Sequence, residues 1–186
     1  MLANRRRIRS PTLPRCFDNG AGGKGAAVMV KKSAGLLVYR DRDGEIEVFL
    51  VHPGGPFWRN KDDGSWSIPK GEFTDDEDPF EAAKREFKEE TGFCIEGEFQ
   101  ALQPVRQSGG KLVYAWMIQG DIDASAIRSN SFSLEWPPGS GSIQTFPEVD
   151  RGEWFDISAA RRKIGIGQVE LLEQLQRILL NEAASR

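Results

Sequence analysis

The chain contains one histidine, His52, and two cysteines, Cys16 and Cys94, among 186 residues. A single histidine excludes His-rich zinc sites and Ser-His-Asp triads, so any general base is expected to be a carboxylate or another non-histidine group. The two cysteines have no framework spacing, which favours a reducing compartment and a cytoplasmic location. We expect Cys94 to be a buried thiol and His52 to be an ordinary structural residue.

Long apolar runs are also missing. None approaches the ~20 residues needed to span a bilayer, so no membrane partner is expected. Hydrophobic residues make up 39% and charged residues 28% of the chain, as in an ordinary globular protein. The length allows one well-packed domain rather than two.

Charge is distributed unevenly along the chain. Residues 1–32 carry eight basic side chains against Asp18 alone, a net of +7; the whole chain is −3, which leaves −10 on the remainder. We interpret residues 1–30 as a disordered basic extension, with a transit peptide and an upstream start codon before Met29 as alternatives. A remainder this acidic predicts no stable nucleic-acid binding, but it would hold divalent cations readily.

Hydrophobic patterning from residue 33 onward predicts strands interspersed with helices. The predicted strands are 34–40 and 45–52 as a hairpin, 66–68, 95–107 and 111–120 as a second hairpin, 132–136, and 153–156. Residues 137–141 are predicted to be a loop. A short helix is predicted at 158–163, followed by an amphipathic helix containing Val169, Leu172, Leu175 and Leu179. This order favours a mixed sheet flanked by helices.

The segment 71–93 contains local signals for a further helix. Asp78 is a good N-cap, Pro79 suits the first helical position, and Glu81 stands where a capping box needs it. Gly92 fits the left-handed position that follows a helix. We therefore predict a helix that begins at Pro79 and ends before Gly92.

Three glutamates of this helix, Glu86, Glu89 and Glu90, are spaced to lie on one side. Like charges at this spacing repel by a few tenths of a kcal/mol per exposed pair, and Arg85 offsets part of that repulsion. The segment could be a solvated acidic face. It could also be a site for a hard cation, because Mg²⁺ takes oxygen ligands and often binds carboxylates together with substrate phosphate.

The spacing of the fixed residues favours the second interpretation. The run matches Gly-x5-Glu-x7-Arg-Glu-apolar-x-Glu-Glu-x-Gly-apolar at every fixed position, which are Gly71, Glu77, Arg85, Glu86, Glu89, Glu90 and Gly92. It resembles the Nudix box, and residues 33–182 resemble a Nudix hydrolase domain. The resemblance implies an α/β fold, the Nudix α/β/α sandwich with a mixed β-sheet.

The resemblance also implies roles for individual residues. Glu86, Glu89 and Glu90 would bind Mg²⁺, with Mn²⁺ as an alternative, and Gly71 would add its backbone carbonyl. Arg85 and Glu77 would orient these carboxylates. Phe87 stands where the family more often has a branched aliphatic residue, a difference expected to affect packing rather than chemistry.

Two flanking segments resemble Nudix enzymes that act on dinucleoside polyphosphates. Trp66-Ser67-Ile68-Pro69-Lys70-Gly71 resembles their Trp-x-x-Pro-Lys-Gly entry, so Lys70 is predicted to contact phosphate. Glu148 precedes Trp154 by the six residues typical of their loop glutamate. Glu148 is therefore predicted to complete the metal shell or to act as general base, with Glu153 as the fallback.

Further residues are candidates for substrate binding. The segment 53–58 could form an aromatic lip on which a base stacks, with Trp58 as its main member. Tyr114 lies somewhat farther beyond the box than a base-stacking tyrosine would be expected to lie. The full set of candidates is Phe57, Trp58, Arg59, Lys61, Arg106, Lys111 and Tyr114.

The sequence thus predicts a metal-dependent hydrolase of a phosphoanhydride in a nucleoside diphosphate linked to another group. The first choice of substrate is a dinucleoside polyphosphate such as diadenosine tetraphosphate. Glu89 or Glu148 would take the proton from the attacking water. Oxidised nucleoside triphosphates and inositol pyrophosphates are alternative substrates, and a noncatalytic nucleotide sensor is an alternative function. The protein is expected to be a monomer or a homodimer.

Overall fold

A computed structural model describes residues 30–185. Apart from its last residue, the extension expected at residues 1–30 lies outside the described residues. No helix in the described range is long and apolar enough to cross a membrane.

The order of elements agrees with the prediction, because one helix lies among the strands and the other two follow the last strand. The strands are β1 (Lys32–Arg42), β2 (Glu45–Pro53), β3 (Lys70–Glu72), β4 (Phe99–Ala101), β5 (Val105–Arg106), β6 (Leu112–Gln119), β7 (Ser131–Glu135), β8 (Ile143–Pro147) and β9 (Val149–Asp156). The helices are α1 (Pro79–Thr91), α2 (Ile157–Lys163) and α3 (Val169–Ala184). Short 3-10 turns occupy Ala124–Ala126 and Ile166–Gln168.

Seven of the strands form one mixed sheet. Its main order is β4-β6-β1-β2-β9, with β3 pairing β1 and β5 pairing β6. β1 runs parallel to β6 and antiparallel to β2 and β3. The antiparallel pair of β3 with β1 places the end of the Pro69–Gly71 connection at the middle of the sheet, directly before the segment that leads into α1.

The sheet separates two hydrophobic cores. Because side chains alternate along a strand, Leu36 of β1 packs on one face with Phe87 of α1, whereas Leu37 packs on the other with Leu172 of α3. All four side chains are buried. The two cores make a three-layer α/β/α sandwich, which confirms the predicted fold class.

Three predicted strands differ from those in the structure. The strand predicted at 95–107 is replaced by two short strands, β4 and β5. Residues 66–68 form only isolated bridges, Trp66 with Ile164 and Ser67 with Val51, because two different elements contact this segment. β9 begins at Val149 rather than at residue 153, since its pairing with β2 extends to Pro53 beyond a register shift. β8 was not predicted at all; it forms a separate two-stranded sheet with β7.

The expectation that Cys94 is buried is wrong. The thiol is free and exposed. α1 ends at Gly92, and the irregular chain that follows turns Phe93 and Ile95 toward the core on the α1 side. Cys94 lies between these two residues and therefore faces solvent.

Candidate active site

α1 is fixed at both ends by the residues that the sequence singled out. The Asp78 side chain accepts hydrogen bonds from the backbone N–H groups of Phe80 (2.9 Å) and Glu81 (3.0 Å). Gly92 adopts a left-handed φ of 79°, and its N–H donates to the Lys88 carbonyl. Ala82, Ala83 and Phe87 are buried against the sheet, so the glutamates project from a fixed face of the helix.

Arg85 is the centre of the carboxylate cluster. Its Nε and Nη2 atoms donate to the two carboxylate oxygens of Glu77 at 2.9 and 3.1 Å. Its Nη1 atom donates to Glu86 (2.6 Å) and to Glu89 (3.3 Å). The hydrogen bonds to Glu77 raise the pKa of the Arg85 guanidinium above its usual range. Arg85 therefore supplies the positive charge that the crowded glutamates need.

Glu86 lies directly against the backbone of Gly71. A Cβ atom on Gly71 would overlap the Glu86 carboxylate, so only glycine fits at this position. The Glu86 side chain is 13% exposed. Burial raises the pKa of its carboxyl; Arg85 opposes that shift, and Glu89 and Glu148 add to it.

Glu90 and Lys70 form the more buried side of the cluster. The backbone N–H of Lys70 donates to Oε2 of Glu90 at 2.9 Å. Burial raises the pKa of Glu90 from 4.5 to about 7, although the positive charge of Lys70 opposes the shift. Burial likewise lowers the pKa of the Lys70 ammonium, against the opposing effect of Glu90. The predicted phosphate contact thus lies beside the predicted metal ligands.

Glu148 lies near the same carboxylates, although it follows α1 by many residues in the sequence. Its N–H donates to the Asn130 carbonyl (2.8 Å), and the Asn130 N–H donates to the Glu89 carbonyl (2.9 Å). The Glu148 carbonyl accepts from the N–H of Gly54 at 2.8 Å. The Glu148 side chain is exposed, and its charge raises the pKa of both Glu86 and Glu90. Glu148 is therefore close to the carboxylates of α1, whereas Glu153 pairs with Arg151 (3.8 Å).

Lys111 is a second cation on the Lys70 side. Its ammonium lies 2.8 Å from the carboxylate of Glu72, and Lys31 lies 3.6 Å from the same oxygen. The charge of Lys111 contributes to the lowered pKa of Lys70. Tyr114 is half-buried, and its ring packs against Phe73 at 5.7 Å between centroids. The structure therefore brings Lys111 to the edge of the site and engages the Tyr114 ring in packing.

The residues of the expected aromatic lip remain accessible. Phe57 is 57% exposed and Trp58 is 37% exposed. The Lys61 ammonium lies 4.5 Å from the centroid of Trp58, so a cation already covers part of that ring. Arg106 donates to the Gly110 carbonyl at 3.2 Å.

Sequence analysis missed the contacts that position Glu148. The Asn130 link and the Gly54 link run through backbone atoms, and no side-chain pattern reveals them. His52 was correctly interpreted as structural: it is fully buried between Asp150, two residues after Glu148, and the Lys61 carbonyl. The signal that could have suggested this contact was the lone histidine directly before a Pro/Gly-rich loop.

The donors gathered here suit a hard divalent cation. All are oxygens, and the close fit of Gly71 against Glu86 brings its backbone next to a carboxylate. Within residues 30–185, no three His, Cys, Asp or Glu side chains are arranged as a preformed metal cage. Arg85 instead engages Glu86 and Glu89. The residues fit such a cation by type and location, with the guanidinium holding two of the carboxylates.

A mixed sheet lies between two helical layers, and the helix that carries the glutamates packs on one face of it. This architecture is that of a Nudix-fold protein. Residues 29–175 match the NUDIX domain family, and the chain belongs to that family. The family predicted from the box is thus confirmed.

Two matches from Caenorhabditis elegans are similar to this chain in sequence. The bis(5'-nucleosyl)-tetraphosphatase [asymmetrical] of Caenorhabditis elegans is 40% identical over 68 residues, which are 37% of this chain and 45% of that protein. The match therefore spans less than half of the relative's length. A solved C. elegans Ap4A hydrolase in a binary complex is 25% identical with a TM-score of 0.54, covering 82% of this chain and 99% of the other.

A more distant structure shares the fold alone. The NUDIX domain of Shewanella oneidensis NrtR, solved with ADP ribose, is 17% identical with a TM-score of 0.55. It covers 81% of this chain and 88% of that one. Together, the family match and the C. elegans relatives agree with the Nudix-type pyrophosphohydrolase predicted from the sequence.

Proposed function

We propose that this protein hydrolyses a phosphoanhydride bond in a nucleoside diphosphate linked to another group, with a dinucleoside polyphosphate such as diadenosine tetraphosphate as its substrate. The observation that carries the proposal is that Glu148 lies close enough to Glu86 and Glu90 to raise their pKa values. Glu86 in turn lies in close contact with Gly71. Acidic side chains concentrated in this way suit a cation that bridges protein and phosphate.

The metal would be Mg²⁺, with Mn²⁺ as an alternative, and Glu86, Glu89, Glu90 and Glu148 together with the Gly71 carbonyl would hold it. When bound, such a cation acidifies water and offsets phosphate charge. Arg85 serves as a positioning residue, because its guanidinium ties Glu77 on the preceding loop to Glu86 and Glu89 on the helix. These bonds fix the direction of two carboxylates before substrate arrives.

Proton transfer falls to a carboxylate. Glu148 and Glu89 are the candidates, because the exposed Glu148 is reachable from solvent and Glu89 is half-exposed. Lys70 and Lys111 lie on the other side of the cluster and would neutralise phosphate oxygens as point charges. Glu72 holds Lys111 until a phosphate competes for it.

The substrate class has two kinds of support. The Trp66–Gly71 segment and the spacing of Glu148 and Trp154 resemble those of dinucleoside polyphosphate hydrolases. The C. elegans tetraphosphatase and Ap4A hydrolase are similar to this chain at 40% and 25% identity, respectively.

A substrate panel tests the proposal. Diadenosine tetraphosphate, oxidised and ordinary nucleoside triphosphates and inositol pyrophosphates are incubated with Mg²⁺ or Mn²⁺, and the products are resolved by chromatography. We expect asymmetric cleavage of diadenosine tetraphosphate to ATP and AMP with the highest kcat/KM. Preferential turnover of another class would overturn the substrate assignment, and tight nucleotide binding with no turnover of any member would overturn the hydrolase assignment.

A further inference from the structure

β7 and β8 form a hairpin that pairs with no strand of the main sheet. Its residues are exposed or half-exposed throughout. An isolated two-stranded hairpin is only marginally stable in water, so contacts with other parts of the domain must hold it. Strand alternation puts Phe132, Leu134 and Trp136 on the same side, and Phe132 faces Phe146 across the pair.

The loop after β2 supplies those contacts. The rings of Phe57 and Trp136 meet edge to face, with centroids 5.2 Å apart at 81°. Gly55 lies against Phe132: a Cβ atom there would be 3.0 Å from the end of the ring. Phe57, Phe132 and Trp136 therefore form one surface built from two segments, which we term the aromatic wall.

The aromatic wall is continuous with the proposed catalytic site. Pro147, at the end of β8, pairs with Ser131 at the start of β7, and Glu148 follows it directly. Trp136 is five residues from Ser131, or roughly 17 Å along an extended strand. Phe132 lies at the end of the hairpin near Glu148, whereas Trp136 and the Phe57 ring that packs on it lie toward the far end, where a phosphate chain could separate them from the carboxylates.

We propose that the aromatic wall binds a nucleobase of the substrate by stacking, which makes the β7–β8 hairpin a specificity element; this rests on the proposed function. Phe57 keeps more than half of its surface exposed although its ring packs against Trp136, so part of the ring remains accessible to a planar ligand. An aromatic face accepts any base, and removing one commonly weakens binding about five-fold or more.

The occupant is a base rather than a protein because the wall is small and lies at the end of the chain segment that carries Glu148. Stable protein interfaces use about 20–30 residues on each side. Three rings bordered by the exposed polar residues of the hairpin suit one planar ligand. Position and size therefore point to the same ligand.

Binding of two probes tests the assignment without turnover. A methylene-bridged, non-hydrolysable diadenosine tetraphosphate and inorganic tetraphosphate are titrated calorimetrically, with Mg²⁺, into the wild type, Phe57→Ala, Trp136→Leu and Trp136→Phe. Leu180→Ala is the matched control, because Leu180 is 70% exposed on α3. We expect Phe57→Ala and Trp136→Leu to weaken the dinucleotide analogue about five-fold or more, and to leave tetraphosphate within about two-fold. Trp136→Phe and Leu180→Ala should bind both probes like the wild type.

The assignment is overturned if Phe57→Ala binds the analogue within two-fold of the wild type, or if it weakens both probes equally. It is also overturned if the wild type prefers tetraphosphate to the analogue. Failure of the proposed function gives a different pattern: no nucleotide is hydrolysed, while the difference between the two probes persists.

Discussion

The Nδ1 atom of His52 lies 2.8 Å from Oδ1 of Asp150, and its Nε2 atom lies 2.9 Å from the Lys61 carbonyl oxygen. Both ring nitrogens of this fully buried side chain therefore have a hydrogen-bond partner, one a carboxylate and the other a backbone carbonyl. The imidazole ties the loop after β2 to β9, two residues beyond Glu148. His52 thus helps to place the candidate base although it does not contact substrate.

We expect His52→Gln to lower the free energy of unfolding by about 1–3 kcal/mol, because an amide cannot replace both bonds and leaves a buried partner unsatisfied. It should also lower kcat more than it raises KM, since Glu148 loses part of its support. Urea unfolding and steady-state kinetics measure the two effects. Lys61→Ala is the control for the unfolding measurement alone: it keeps the backbone carbonyl and should change stability by less than about 0.5 kcal/mol. A His52→Gln variant with unchanged stability and unchanged kcat would contradict the proposed role of His52 in supporting Glu148.

Glu89→Gln and Glu90→Gln should each reduce turnover by about 100-fold or more while leaving the fold intact, because each removes a charge from the proposed cation site. Glu81→Gln on the same helix is the matched control. Glu81 pairs with Lys84 at 2.7 Å and makes none of the hydrogen bonds described for Arg85. Activity assays with Mg²⁺, checked by circular dichroism, measure the difference. Undiminished activity in either site variant would remove that glutamate from the mechanism.

Gly71→Ala should abolish activity, because the new methyl group would occupy the space of the Glu86 carboxylate. Displacing that carboxylate should also cost about 1–3 kcal/mol of stability. Gly165→Ala provides the comparison, since its Cβ atom would meet nothing closer than the Gly64 carbonyl oxygen at 3.6 Å. Thermal melts and kcat/KM distinguish the two variants. Equal behaviour of both would show that the contact of Gly71 with Glu86 does not matter.

The metal-free protein should become less stable as pH rises. Burial raises the pKa of Glu90 from 4.5 to about 7 in the folded chain, so the folded state binds its proton more tightly than the unfolded state does. The stabilisation from this group is complete below pH 4.5 and is lost as pH rises through about 7. Glu90→Gln should flatten this part of the profile. Urea midpoints measured in a chelator between pH 5 and pH 8 test the sign, and a wild-type profile that rises instead would contradict it.

Local signals account for what the sequence predicted well. Asp78, Pro79 and Gly92 act within one helix, so their spacing alone located α1 and the side on which its glutamates meet. Glu148 was selected as a candidate because its spacing to Trp154 resembles that of dinucleoside polyphosphate hydrolases, and the structure places it near the glutamates of α1. The resemblance to a known box supplied the chemistry that these spacings could not.

Contacts between distant segments account for what was missed. β8 has little hydrophobic alternation, and it exists as a strand because β7 pairs with it. The exposure of Cys94 depends on how the chain leaves α1, with Phe93 and Ile95 turning inward on either side. Neither result follows from composition or periodicity over a few residues.

The hydrogen bonds that place Glu148 use backbone atoms at Gly54, Asn130 and Glu89. Substitution of the Asn130 side chain therefore leaves the donor and the acceptor in place, and this position is free to vary in most residue types. Proline is the exception, because it removes the N–H that reaches Glu89. The position of Glu148 beside the glutamate helix therefore does not depend on the side chain at residue 130. It depends there on one backbone hydrogen-bond donor, the Asn130 N–H.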